Sequence, residues 1–353
     1  MSAALVLSAG GNRGAYEAGV LLGLAKHVGM PFKVICGSSA GAINAGHIAA
    51  HAHETSIDAM DALVRFWSEL RPSDVARLPW RDVIRHGRPF SLLDTTPLGE
   101  SIENIASGEA IERNLDRGAL DALVITTSEL THRRSVAWLH TKPSLRTPFA
   151  AQRWDWRPAC IGPEHILASS AVPLLFRPVR LGDSWHVDGG LLQYTPLAPA
   201  IRLGATRVLT IATETEAPIT DASTKVPPGL GAQIGEALET MQSGTLAADL
   251  DQVEQINALV RSAGGDELRY RQRGVERLLR MIESDVIRPS RDLEAVAAET
   301  LGVRTSSGLL SAAILDRRVT QRFIELGIAD AETHASAVAK LFEAKGSPKS
   351  KKN

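Results

Sequence analysis

At 353 residues the chain can hold one large core or two smaller ones. Its 44% hydrophobic and 22% charged content is ordinary for a globular protein, and 39 Lys plus Arg against 40 Asp plus Glu leave no basic excess for nucleic acid and no long-range attraction to anionic membranes. The two cysteines, Cys36 and Cys160, form no C-x-x-C pair, which excludes zinc ribbons and thioredoxin-like redox motifs and fits a cytoplasmic setting.

In chain order, Ala4-Leu5-Val6-Leu7-Ser8 reads as a buried strand. It opens the chain without a basic n-region or cleavage site, and no apolar run reaches the ~18 residues of a membrane span. A glycine cluster follows, Gly10-Gly11-Asn12-Arg13-Gly14, and then helical spacing from Ala15 to His27. Unhindered N–H groups at such a turn make an anion nest, able to hold a phosphate or an oxyanion. The phosphate reading fails on detail. Position 9 is Ala, the next strand (Phe32 to Cys36) ends without an acid, and no G-x-x-x-x-G-K-[ST] occurs. Neither a nucleotide nor any other cofactor is expected.

The strand 32–36 runs into Gly37-Ser38-Ser39-Ala40-Gly41 and a small-residue helix over 40–53. Strand, sharp turn, helix is the context in which G-x-S-x-G exposes a serine Oγ on a strained backbone, with Gly37 and Gly41 admitting the close packing. His47 and His51 share a helix face near His53, but Ile48-Ala49-Ala50 intervene where H-E-x-x-H would need its acid. A solvated helix end is expected there, and no metal. Helices follow at 55–71 and 95–106, strands at 120–128 and 134–140, and a helix near 163–170. Trp154 and Trp156 fall between strands, where a lid is one reading; Trp80, Phe90, Leu92 and Leu93 form another loop cluster, and ordinary packing serves either set equally.

Trp185-His186-Val187-Asp188-Gly189-Gly190 places an acid at a strand end before a tight turn. His186 would share a strand face with Asp188. Side-by-side projection does not insert a histidine between acid and serine, so a structural histidine is expected. Arg13 is read as a structural ion pair holding the glycine loop, ahead of head-group attraction, with its backbone N–H the more useful group. Arg207 to Thr213 is the next strand.

Composition breaks at 218–231. Beyond it Ile234, Leu238 and Met241, then Leu246, Leu250, Val253, Ile256 and Val260, repeat at helical spacing. Several short helices are expected from 291, with Leu310, Ile314, Phe323, Leu326, Val338 and Leu341 facing inward, as core rather than as a membrane or partner module. Residues 345–353 form a basic tail expected to be disordered.

Four ordered motifs resemble the patatin-like phospholipase family: Ser8 to Leu21, Gly37 to Asn44, Ala168-Ser169-Ser170-Ala171-Val172-Pro173, and Asp188-Gly189-Gly190. The resemblance implies an α/β fold, a central largely parallel sheet flanked by helices in three layers, with a catalytic domain over 1–215; similar segments close the family's core, which makes Val286-Ile287-Arg288-Pro289 a candidate for one more sheet strand within the mainly helical region 216–344. It implies a lipid acyl hydrolase with Ser39 as nucleophile, Asp188 as general base, and an oxyanion hole from the backbone N–H groups of Gly10, Gly11, Asn12, Arg13 and Gly14. Gly189 and Gly190 make the turn after the base. The substrate would be a lipid ester, met by peripheral contact with membranes at most. Thioesterase or acyltransferase chemistry on the same dyad, and a non-catalytic lipid- or partner-binding role, stay open. Ala9 departs from the pattern, since the family's loop usually has glycine there.

Overall fold

A computed structural model describes residues 2–54, 56–78, 91–142, 145, 154–215, 245–272, 275–302 and 315–343. Apolar residues on both faces of the first strand dictate a sheet covered on both sides. Strand β1 (Ser2–Leu7) leads through the glycine loop into α1 (Gly14–His27), then β2 (Val34–Ser38) and α2 (Ala40–Ala50). Next come α3 (Ser56–Glu69), a single turn α4 (Pro72–Val75), α5 (Thr96–Ile105) and α6 (Gly108–Asp116). Then follow β3 (Ala122–Glu129), β4 (Arg134–Thr141), β5 (Trp154–Pro158), α7 (Pro163–Ser169), β6 (Val179–Leu181), β7 (Ser184–Val187), α8 (Leu197–Arg202) and β8 (Ala205–Ile211). The described C-terminal part holds α9 (Thr245–Ser262), β9 (Glu267–Gln272), β10 (Val275–Arg280), β11 (Glu283–Ile287), α10 (Leu293–Leu301) and α11 (Arg317–Phe342).

Nine of these strands form one sheet, in the order β11-β8-β1-β2-β3-β4-β5, with β7 pairing β3 and β6 pairing β7. The β11–β8, β8–β1, β1–β2, β2–β3 and β4–β5 pairs are parallel; β3 pairs antiparallel with β4 and β7. The period of two divides the core. Leu5, Leu7, Ile35, Leu123, Ile125, Leu209 and Ile211 face one helical layer, which includes α1, α2, α3 and α11. Ala4, Val6, Val34, Cys36, Val124 and Val208 face the other, with α8 and α9. The fold is thus a mostly parallel mixed sheet between helical layers, as expected.

Several details differ from expectation. Trp154 and Trp156 lie on β5 at the sheet's edge, with Trp154 buried and the two rings 5.8 Å apart, so they are wall rather than lid. Strands β9 and β10 pair antiparallel over 267–272 and 275–280, where charged residues outnumber apolar ones and hide the alternation. The last strand runs from Glu283 to Ile287, slightly before the expected 286–289. One 26-residue helix, α11, replaces the later short helices, since no proline interrupts that stretch; Phe323 and Val338 are buried in it. Trp80, Phe90, Ile234, Leu238, Met241, Leu310, Ile314 and the tail 345–353 lie outside the described residues. Among the described residues no helix is long and apolar enough to cross a membrane.

Candidate active site

The site is assembled at the C-terminal ends of β1, β2 and β7, where open α/β sheets carry their ligands. Strand β2 ends at Ser38, and Ser39 turns the chain into α2 with φ 52 and ψ −122. A non-glycine residue holds such a backbone only where its surroundings fix it. The flanking glycines permit the approach. A Cβ on Gly37 would overlap the Gly41 carbonyl, and one on Gly41 would lie 2.5 Å from Leu7 O. Side chains at either position would push α2 off β1 and β2.

Strand β7 delivers Asp188 from the opposite side, followed by one 3₁₀ turn at Gly189–Leu191. Ser39 Oγ donates to Asp188 Oδ2 at 2.6 Å, and Gly190 N–H donates to Asp188 Oδ1 at 2.7 Å. Burial pushes the Asp188 carboxyl up to about 6, against the pull of the Ser39 and Gly190 hydrogen bonds. A carboxylate with that proton affinity, 2.6 Å from a serine hydroxyl, can accept its proton.

The glycine loop closes the third side. Of its five residues, Gly11 and Asn12 border the pocket that contains Ser39. The amides of Arg13 and Gly14 turn inward: Arg13 N–H donates to Gly10 O at 3.1 Å, and Gly14 N–H to Asn12 and Gly11 carbonyls. Gly10 is not among the residues that border the pocket. The Arg13 guanidinium bonds Glu294 of α10 at 2.7 Å, the structural pairing expected of it. Ala9 is accommodated because Gly190 faces it; a Cβ on Gly190 would lie 2.6 Å from the Ala9 methyl. Ala9 N–H donates to Tyr194 O and its carbonyl accepts from Thr213 Oγ1.

The pocket has a volume of about 640 Å³ including its open mouth. Ile43, Trp67, Leu70, Val75, Leu98, Val172, Leu175, Phe176 and Leu315 supply most of its wall, so its chemistry is apolar apart from the groups around Ser39. Such a wall suits a hydrocarbon chain.

His186 is buried, with Nδ1 2.9 Å from Thr127 Oγ1 and Nε2 3.0 Å from Ser184 Oγ. Both ring nitrogens are thus engaged away from Ser39. Burial first, then the Arg157 charge, lowers its pKa to about 4, so the ring is neutral. His47 departs from the solvated helix end expected for it. It is buried between the Ala59 and Ile105 carbonyls and stacks on His51 at 4.1 Å. No group of three His, Cys, Asp or Glu able to hold a metal occurs among the described residues.

A buried polar network beneath the site was missed in the sequence. Glu17 of α1 accepts Ser8 N–H at 2.7 Å and Asn44 Nδ2–H at 2.8 Å. Asn44 also donates to Gly14 O and accepts from Trp67 Nε1 at 2.7 Å. Burial raises the Glu17 carboxyl well above the usual range. The network ties the glycine loop to α2. Its sequence signal was there: a glutamate within the apolar run Ala15 to Leu22, and an asparagine within the small apolar run Ala40 to Ala50.

Residues 5–201 match the family model described as patatin-like phospholipase. A sequence search of curated proteins finds no match. Among solved structures, VipD from Legionella pneumophila is 13% identical over 93% of this chain and 67% of its own, with a TM-score of 0.36. Human GIVD cytosolic phospholipase A2 is 11% identical over 96% of this chain and 59% of its own, with a TM-score of 0.47. Its complex with methyl gamma-linolenyl fluorophosphonate gives 12%, 96%, 58% and 0.45. This chain therefore spans less than two thirds of the human chains it matches.

Proposed function

The chain belongs to the patatin-like phospholipase family, and from that premise we propose that it cleaves carboxyl esters of phospholipids or related lipids through Ser39 and Asp188. The observation that carries this reading is the 2.6 Å bond to Asp188 Oδ2 from the Oγ of Ser39, a residue that lines an apolar pocket.

The acyl chain lies along the apolar wall, which brings its ester carbonyl to Ser39. Ser39 Oγ attacks the carbonyl carbon as Asp188 Oδ2 takes its proton. The carbonyl π pair moves onto oxygen, and the resulting anion is held by backbone amides of the glycine loop, whose Gly11 and Asn12 border the pocket. One such donor is typically worth about 10²–10³ in rate. The tetrahedral species collapses, Asp188 returns the proton to the leaving alcohol, and Ser39 keeps the acyl group. Water then attacks the acyl-enzyme, losing its proton to Asp188, and the acid leaves with Ser39 restored. A two-residue device suffices because burial has already raised the basicity of the carboxylate.

The test is hydrolysis of soluble p-nitrophenyl esters and of phospholipid, lysophospholipid and triglyceride vesicles by wild type, Ser39→Ala and Asp188→Asn. Both variants are expected to fall by at least about 10³-fold on every ester that wild type cleaves. Equal rates in all three proteins would remove the enzyme reading. Cleavage of acyl thioesters in preference to every lipid would move the substrate class.

A further inference from the structure

Two hydroxyls on one turn grip the backbone of Ser39 from both sides. Ser39 N–H donates to Ser169 Oγ at 2.9 Å, and Ser170 Oγ donates to Ser39 O at 3.2 Å. The next residue reaches the other half of the site: Ala171 O accepts the Asp188 N–H at 2.9 Å. Three consecutive residues therefore join the main chain of the hydroxyl-bearing residue to that of the carboxylate-bearing one.

The Ser169 hydroxyl is oriented before it meets Ser39. Ser169 Oγ sends its own proton to Thr126 O of β3 at 2.6 Å, which leaves its lone pairs for the Ser39 amide. Ser170 Oγ has one proton, which it shares between Ser39 O and Ile166 O, 3.1 Å away and one turn back in α7. Both serines are buried, Ser169 completely. Ser39 needs such support. Its φ of 52 and ψ of −122 fit neither β2 nor α2, and a non-glycine residue keeps that conformation only under outside restraint. Without the grip, relaxation of the elbow would swing Oγ, and the 2.6 Å contact with Asp188 depends on that direction.

We propose that Ser169 and Ser170 are positioning residues for the reaction, a strap that holds the Ser39 backbone in register with Asp188 so that the hydroxyl–carboxylate contact exists before substrate arrives. The inference rests on the dyad reading above, and it assigns a task to the Ala168–Pro173 motif.

The experiment uses the full chain with Ser169→Ala, Ser170→Ala and Ser170→Thr beside Ser39→Ala and Asp188→Asn. It measures kcat and KM on a soluble p-nitrophenyl ester, the rate of phosphonylation by a fluorophosphonate, the pH profile and Tm. Each alanine variant is expected to lose about 10–100-fold in kcat and in phosphonylation rate, with KM within about twofold. Threonine at 170 keeps a hydroxyl and should restore part of the loss. The acid limb should also move to higher pH, because the Ser39 hydrogen bond is one of the contacts that hold the Asp188 pKa down. A merely structural pair of serines would lower Tm and leave that limb in place. If Ser169→Ala does not fold, Ser170→Ala and Ser170→Thr carry the test alone. Alanine variants with kcat within twofold of wild type, beside inactive Ser39→Ala and Asp188→Asn, overturn the strap and leave the dyad standing. Wild-type rates in Ser39→Ala and Asp188→Asn would remove the dyad, and the strap with it.

Discussion

Asp188 carries the sharpest tension in the molecule at the scale of single residues. Its carboxyl is buried with two donors, and burial raises its pKa to about 6. In the proposed mechanism it serves as a base only when ionised, so kcat/KM should fall tenfold per pH unit below about 6 and level off above it. The same shift has a stability consequence of opposite sense. A carboxyl whose folded pKa exceeds its unfolded value, near 3.9, binds its proton more tightly in the folded state. That contribution is full below the unfolded pKa and is lost as pH rises through the folded one. At pH 7–8 the ionised Asp188 therefore strains the fold by an amount on the order of 1–3 kcal/mol. Asp188→Asn keeps an acceptor for Gly190 N–H and drops the charge. It should lose activity and gain stability in urea unfolding at pH 8, with the gain vanishing by about pH 4. An unchanged midpoint at pH 8 would contradict the argument. Ser39 stood out in sequence because it sits in a local pattern, the strand–turn–helix elbow, whereas Asp188 sits in a common Asp-Gly turn and was singled out through the family resemblance. Glu17, Asn44, Ser169 and Ser170 did not stand out, because their partners lie 9 to 131 positions away and no local pattern encodes a buried hydroxyl's acceptor.

At the scale of elements, strands and helices with an apolar period announced themselves, and those held by close backbone approach did not. Spacing gave β1, α1, β2, α2, β3, β4 and β8 their places in the α/β alternation. It also found the inward faces of α9 and α11. It missed why α11 lies where it does. That helix crosses α1 at glycines: Gly19 is packed against the Ile324 backbone and Gly23 against the Ala331 methyl. From the other side, a Cβ on Gly327 would overlap the Tyr16 carbonyl and lie 2.8 Å from Val20 N. The crossing is pinned by Tyr16 OH, which donates to Asp330 Oδ2 at 3.0 Å, and by Ser290 N–H, which donates to the same oxygen. Glycine inside a helix reads as a weak point in sequence, yet here it is the contact surface. Gly327→Val should therefore destabilise the protein by about 1–3 kcal/mol, since backbone on the facing helix cannot yield as a side chain would. Ala329→Val, exposed on the same helix, should cost less than about 1 kcal/mol. Comparable urea midpoints for the two variants would show that the helices can part without cost. Because α1 begins at the glycine loop, Gly327→Val should also slow ester hydrolysis.

At the scale of the whole molecule, the family match ends at residue 201, but the sheet and its helical cover do not. Strand β11 pairs parallel with β8 from Glu283 to Ile287, and without it β8 becomes an open edge. Helix α11 covers α1, whose face at Ala15, Tyr16, Gly19 and Gly23 would otherwise meet water. Helix α10 supplies Glu294, the partner of Arg13 in the glycine loop. Each of these comes from beyond residue 280, so the loop, its helix and its sheet are completed by chain that the four motifs do not include. A truncation after Thr215 retains Ser39, Asp188 and the entire matched segment. It should nevertheless yield a protein that is insoluble, or that lacks a cooperative thermal transition and ester hydrolysis, because a contiguous apolar helix face and an unpaired strand are exposed together. A variant that keeps every strand and helix but changes Glu294→Gln isolates the smallest of the three contributions, and should fold with a modest loss of kcat. Circular dichroism melts and p-nitrophenyl ester turnover on both proteins decide the matter. A soluble 1–215 fragment that melts cooperatively and turns over ester at the full-length rate would show that the chain beyond residue 215 is an accessory to the proposed activity, not part of its core.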